Sequence, residues 1–210
     1  MSNRIVIVDG HQDLAYNVIS FGRDYRQSAL ETRAREKGGP LPAMAGQCMI
    51  GLPELLAANV AVVFGTLFTA PARRALSARE TVYHNPQAAH AQAMAHLDMY
   101  RRWSDEASPF TLLSNRADLE AVLASQAGDK AQVGIVPLME NADPIREPAE
   151  LELWVERGLR IVGPAWTGSR YAGGTGEPGP LTDLGRELLE VMAECGVGLD
   201  LSHMAERAAL

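Results

Sequence analysis

A chain of 210 residues, 47% hydrophobic and 21% charged, holds enough apolar material for a sizeable core and reads as a single domain over 1–210. Its 19 basic and 26 acidic side chains leave a net charge of −7 and a pI near 5.2, which argues against a nucleic-acid surface and for a small-molecule or protein partner. No run approaches the roughly 18 apolar residues of a membrane span, no signal-peptide pattern opens the chain, and Cys48 and Cys195 lack metal-type spacing, so a cytoplasmic protein with two reduced thiols is expected.

The first apolar run, Ile5-Val6-Ile7-Val8, predicts a strand buried on both faces that stops at Gly10 and delivers His11 and Asp13. Alternate residues of an extended segment share a face. An imidazole nitrogen and a carboxylate oxygen therefore arrive side by side, a donor pair that Zn²⁺ accepts. The competing reading is a strand-end turn with Asp13 capping whatever follows. Asp24 to Lys37 interleaves Arg and Glu as an exposed helix or a loop, broken by Gly38-Gly39-Pro40. A segment of this length at a strand's C-terminal end is either a binding wall or a solvated insertion. Leu52 to Ala58, with Pro53 in its first turn, predicts a short helix leading into a second buried strand, Val60 to Phe68.

A long helix is predicted from Asn85 to about Glu106, with Ala88, Ala91, Met94, Ala95 and Met99 near three-to-four spacing. His84, His90 and His96 are spread over this segment without the four-residue spacing that chelates, and are assigned packing or solvent-facing roles. Phe110 to Leu113 reads as a short strand and Arg116 to Ser125 as a helix capped by Asn115. Val133 to Met139 is an apolar strand ending on Glu140, in which Pro137 argues against a central place because proline cannot donate to the ladder. A helix over Pro148 to Arg157 stops at Gly158, Leu159 to Val162 starts a strand, and Thr182 caps a helix reaching Glu194. Val197 to Leu201 is the last strand, ending on Ser202-His203, and the chain then enters what reads as the first turns of a helix.

Continuously apolar strands alternating with helices imply a parallel sheet covered by helices. His11, Asp13, Glu140 and His203 fall at the C-terminal ends of strands, which a (β/α)₈ TIM-type barrel gathers on one rim and an open sheet would spread. Barrel strands are expected to start near residues 5, 60, 133, 159 and 197, with the Phe110 strand as an accessory: about five of eight, the N-terminal portion of an incomplete barrel. On such a rim Glu140 suits the bridge between two ions, with His11 and Asp13 on the first and His203 on the second. Taken singly, Glu140 reads equally as a loop cap and His203 as a helix-start histidine. Gly174-Thr175-Gly176-Glu177-Pro178-Gly179 matches G-x-G-x-x-G, but it is not tight against a strand and contains Pro178. Ser202 points away from His203 on an extended segment, so neither a dinucleotide site nor a Ser-His nucleophile is expected.

Asp9-Gly10-His11-Gln12-Asp13-Leu14 is similar to the Asp-Gly-His-Asn-Asp-Leu that opens the membrane (renal) dipeptidase family. Leu52-Pro53-Glu54-Leu55, Met139-Glu140-Asn141 and Leu199-Asp200-Leu201-Ser202-His203 resemble later blocks, so the resemblance covers nearly the whole chain. It implies a zinc peptidase on an amidohydrolase-type barrel holding two Zn²⁺ ions. His11 and Asp13 would bind one zinc, Glu140 would bridge as the catalytic carboxylate, and His203 would bind the other. A metal-bridging hydroxide would then attack the amide of a dipeptide. The family's later histidine ligand, its arginine for the substrate carboxylate and its late aspartate match no position up to Leu210. Its substrate-contacting histidine is matched by Trp166, which removes an oxyanion donor and makes this residue either a pocket wall or a rim tryptophan. Hydrolysis of another small amide or a lactone, and a non-catalytic diverged or truncated barrel, stand as the other readings. The partners expected are a small-molecule substrate, a dipeptide or similar amide, and a second copy of the chain in a homodimer, with no nucleic acid and no membrane.

Overall fold

The computed structural model describes residues 5–75, 80–106 and 108–210. The apolar runs form one all-parallel sheet of β1 (Ile7–Gln12), β2 (Val60–Thr66), β3 (Phe110–Leu112), β4 (Val133–Glu140), β5 (Ile161–Gly163) and β6 (Gly198–Leu199). Its order is β1-β2-β4-β5-β6, with β3 pairing alongside β4, and the sheet curls into a half-barrel. The helices between the strands are α1 (Leu14–Phe21), α2 (Ala29–Glu36), α3 (Leu41–Ala45), α4 (Leu52–Ala57), α5 (Pro86–Asp105), α6 (Arg116–Ser125), α7 (Leu151–Glu156), α8 (Asp183–Cys195) and α9 (Glu206–Ala209).

Pro137 proves compatible with a central strand because of where it sits. One edge of β4 is taken by β2, while the other pairs with β3 over Val133–Ile135 and with β5 over Leu138–Glu140. Ile135 O accepts from Leu113 N and Pro137 O from Arg160 N, so the missing N–H falls where that edge passes from one neighbour to the next. The expectation for β1 is corrected. It is an outer strand, and Ile7 and Val8 are 43% and 56% exposed rather than buried. It also runs on through Gly10 to Gln12, with a bulge that sets Asp9 to Gln12 against only Val63 to Gly65 of β2.

The core gathers Val63, Ile135 and Met139 of the sheet with Leu97, Tyr100 and Trp103 of α5 and Trp154 of α7. On α5 the buried residues are Ala89, Ala93, His96, Leu97, Met99, Tyr100 and Trp103, a face displaced from the alanine stripe expected there. The large side chains set the face because burying them removes far more apolar surface from water than burying alanines does. Asn85 caps this helix through Ala88 N, and Ser28-x-x-Glu31 and Asn115-x-x-Asp118 close capping boxes on α2 and α6. The Gly- and Pro-rich stretch from Ala172 to Leu181 is an antiparallel hairpin of Ala172–Gly174 and Glu177–Leu181 that turns at Gly176 with φ +73°. Gly176 therefore serves a tight turn. Cys48 and Cys195 are both free thiols. Among the described residues, no helix is long and apolar enough to cross a membrane.

Candidate metal centre

Glu140 ends the middle strand of the five-strand path, while His11 lies on one outer strand and His203 in the turn that follows the other. On a flat sheet two strands of separation would place each imidazole roughly 9–10 Å from the carboxylate, on opposite sides. Instead His11 Nε2 lies 3.2 Å from Glu140 Oε2, and His203 Nε2 lies 3.1 Å from Glu140 Oε1. The curl of the sheet supplies the difference. Asp13 completes one side, its Oδ1 3.6 Å from His11 Nε2, and one ligating atom each of His11, Asp13 and Glu140 fit within 4.8 Å of one another.

Each of these side chains is held by the local fold. Asp13 occupies the N-cap position of α1 but makes no side-chain cap bond. Its Oδ1 accepts from the Thr66 hydroxyl at 2.6 Å, so the capping reading of Asp13 is excluded. Thr66 is fully buried at the end of β2, and its carbonyl accepts from the Tyr100 phenol at 3.0 Å. Glu140 is 4% exposed and is followed by Asn141 at φ +84°, a left-handed turn that asparagine tolerates better than most residues. Asn141 Nδ2 donates to the Tyr83 phenol at 2.9 Å and to Thr69 O at 3.2 Å. Tyr83 in turn donates to Asp143 at 2.5 Å, a buried network that fixes the turn behind Glu140.

His203 departs from its expected place at a strand end. Asp200 Oδ1 accepts from Ser202 N at 2.8 Å and closes a turn, so β6 stops at Leu199 and His203 sits in that turn at φ +68°. Its Nδ1 lies 3.0 Å from Thr175 Oγ1, which leaves Nε2 directed at Glu140. Thr175 belongs to the hairpin turn. Arg74 ties this turn to the short helical turn at Ala72–Arg74 by donating to the Thr175 carbonyl at 3.5 Å and pairing with Glu177.

Hydrogen bonds that the His11 imidazole donates to the Asp13 and Glu140 carboxylates push its pKa from 6.5 up to about 10, against the lowering effect of its burial. The rim is thus an electronegative cup. The donor set also has the spacing of shared ligands: two donors, each about 2.1 Å from one tetrahedral ion, lie about 3.4 Å apart. The distances of 3.1, 3.2 and 3.6 Å around Glu140 and His11 bracket that value. His11, Asp13 and Glu140 thus form a group that could hold a metal ion, and His203 faces the other oxygen of the same carboxylate.

The sequence profile of the membrane dipeptidase family (peptidase family M19) matches residues 1–210. The chain belongs to the membrane dipeptidase family. No curated protein sequence matches it. Among solved structures, it is similar to a probable dipeptidase, PvdM, from Pseudomonas aeruginosa, at 19% identity and a TM-score of 0.69, over 98% of this chain and 48% of that one. It is also similar to an amidohydrolase from Pseudomonas aeruginosa, at 16% identity and a TM-score of 0.57, over 75% of this chain and 43% of that one. This family member thus spans just under half the length of the structures it matches, and at these identities the likeness establishes the barrel-type fold.

Trp166 is half-buried and packs edge-on against Phe68, with centroids 4.9 Å apart, where it lines a cavity adjoining Asp13. It is therefore a pocket wall. Met44 and Ala45 of α3 line the same cavity, so the segment following Gly38 also contributes a wall. The three other histidines lie outside the centre: His84 is exposed, His90 bonds Pro144 O at 3.1 Å, and His96 is buried in the α5 face. Sequence reading missed Thr66, Thr175 and the Tyr83–Asp143–Asn141 network. Thr66 carried no such signal, because the apolar run continues past it through Leu67-Phe68, whereas Glu140 ends its run.

Proposed function

We propose that this protein is a metal-dependent hydrolase that cleaves the amide bond of a dipeptide, using two zinc ions held by His11, Asp13, Glu140 and His203. The observation that carries this reading is the division of the Glu140 carboxylate, Oε2 toward His11 and Oε1 toward His203, at distances proper to ligands of shared ions. When bound, the ions would supply Lewis acidity toward the amide carbonyl and acidify water. The chain's own residues do the rest. Thr66 holds the Asp13 carboxylate in place, and Thr175 engages Nδ1 of His203 so that Nε2 is presented to the centre. The aromatic wall at Trp166 and Phe68 lines the cavity that adjoins the centre at Asp13.

Metal analysis of the full-length protein, purified without chelator, is the test. Close to two zinc ions per chain are expected, and a metal-free protein that gains no activity on adding zinc would overturn the reading. Glu140→Gln keeps the shape but removes the charge, and should lower both zinc content and turnover, the latter by about a hundredfold or more. Unchanged hydrolysis would remove Glu140 from the bridging role. A panel of dipeptides, including one with a D-residue at the C-terminal position, set against other small amides and simple lactones separates the dipeptidase from its enzymatic alternatives.

A further inference from the structure

Beside Asp13 lies a cavity of about 280 Å³ whose walls are Tyr16 and Phe21 of α1, Phe68, Trp166 and Met44. The four rings form a chain of edge-to-face pairs. Phe21 meets Tyr16 at 5.7 Å and 88°, Tyr16 meets Phe68 at 4.9 Å and 79°, and Phe68 meets Trp166 at 4.9 Å and 80°. Each ring restrains the next, so the wall is formed before any ligand arrives.

The polar groups around this cavity are already engaged within the protein. The Arg74 guanidinium is occupied by Thr167, the Thr175 carbonyl and Glu177, and Tyr16 is hydrogen-bonded to Glu80. Asp13, Asn17 and Glu80 also line the cavity, and the ring surfaces with Met44 form its apolar side. The volume lies just below the range of pockets that enclose a whole drug-sized ligand, so the cavity suits a single side-chain-sized group.

We infer that this cavity is a specificity pocket for a flat aromatic group on the residue next to the scissile amide, with Trp166 and Phe68 as its specificity-determining walls. Asp13 borders both the cavity and the acidic cup. A ring seated between Tyr16, Phe68 and Trp166 therefore carries its attached amide toward Glu140. A histidine at position 166 would offer a polar donor there; the indole offers an apolar face and selects aromatic over small or polar substrates. The turnover consequence rests on the hydrolase reading above, but the binding preference does not.

The experiment uses the full-length protein in two forms. On metal-free protein, calorimetry compares N-acetyl-phenylalaninamide with N-acetyl-glycinamide. The aromatic amide should bind about tenfold more tightly or better, and Trp166→Ala should remove roughly tenfold of that. Trp166→His, a milder change at a half-buried position, should also erase most of the preference while leaving the melting temperature close to that of the parent. Equal binding of the two amides, or a preference untouched by both variants, would overturn the pocket assignment. On zinc-loaded protein, dipeptides containing phenylalanine should exceed Gly-Gly in kcat/KM. Hydrolysis without aromatic preference would defeat the pocket and leave the hydrolase standing. Aromatic-selective binding with no hydrolysis would uphold the pocket and defeat the hydrolase.

Discussion

Thr66→Val tests whether the second layer of the centre is built as described. Thr66 is fully buried and gives its hydroxyl proton to Asp13 Oδ1 at 2.6 Å, a short bond to a charged acceptor. Valine keeps the shape of the side chain and removes only the donor. Asp13 is 40% exposed at its side chain, so water replaces part of the lost bond, and the metal-free protein should lose no more than about 1 kcal/mol of stability. The larger effect is on orientation. Without the hydroxyl the carboxylate is free to rotate away from His11, and loss of such an outer partner typically costs 10- to 100-fold in metal affinity, about 1.4–2.7 kcal/mol. Competition between the protein and a chromophoric zinc chelator at fixed pH measures that affinity, with thermal melting of the metal-free form as the check on folding. Thr66→Ser retains the donor and should bind zinc nearly as the parent does. A Thr66→Val protein that melts normally and binds zinc within twofold of the parent would refute a positioning role for Thr66.

His96 supplies a pH signature: burial pushes its pKa from 6.5 down to about 4, and its Nδ1 has no partner among the described residues. The unfolded chain binds that proton more readily than the fold does. The His96 contribution to stability is therefore full above pH 6.5, falls by about 3 kcal/mol as pH drops toward 4, and levels off below. Urea unfolding of the metal-free parent and of His96→Leu at pH 7.5 and 5 should show a smaller loss in the variant, and equal losses would show that His96 does not drive it. Gly65→Ala would put a Cβ 2.7 Å from Ile135 Cγ2 and 2.9 Å from Tyr100 Cζ in the packed core. A destabilisation of about 1–3 kcal/mol in urea is expected, and an unchanged midpoint would mean that the β2–α5 contact is looser than described.

The site residues were legible because each closes an apolar run that can only be a strand. His11 and Asp13 follow Ile5–Val8, Glu140 follows Val133–Met139, and a parallel sheet brings strand ends to one rim. Features that depend on contacts across the fold were not legible. The helix Leu14–Phe21 went unseen because Val18 and Ile19 favour strands and because Asp13, its apparent cap, spends its carboxylate on Thr66 instead. The hairpin at Ala172–Leu181 was masked by Pro178 and Pro180, which read as loop but are tolerated in one strand of a two-stranded ribbon. Thr175 reaches His203 only because that hairpin forms, and 28 residues separate the two in sequence.

The four ligand candidates are held with unequal firmness, and the inequality follows from the strand order. Glu140 is nearly inaccessible, on a strand paired along both edges and backed by the Asn141–Tyr83–Asp143 network. His11 stands on an outer strand with an irregular ladder, and His203 in a turn beyond a two-residue outer strand; their side chains are 38% and 35% exposed. Glu140 is thus the fixed point, and the imidazoles approach it from either side, each two strands away along the sheet. Cations shared among these groups would tie both outer strands to the middle one, so that metal-binding free energy also serves to hold the curvature of the sheet. The same curvature brings the site together, since without it neither imidazole would lie within reach of the carboxylate. The geometry of the centre is in this sense set by how tightly the sheet curls around the end of β4.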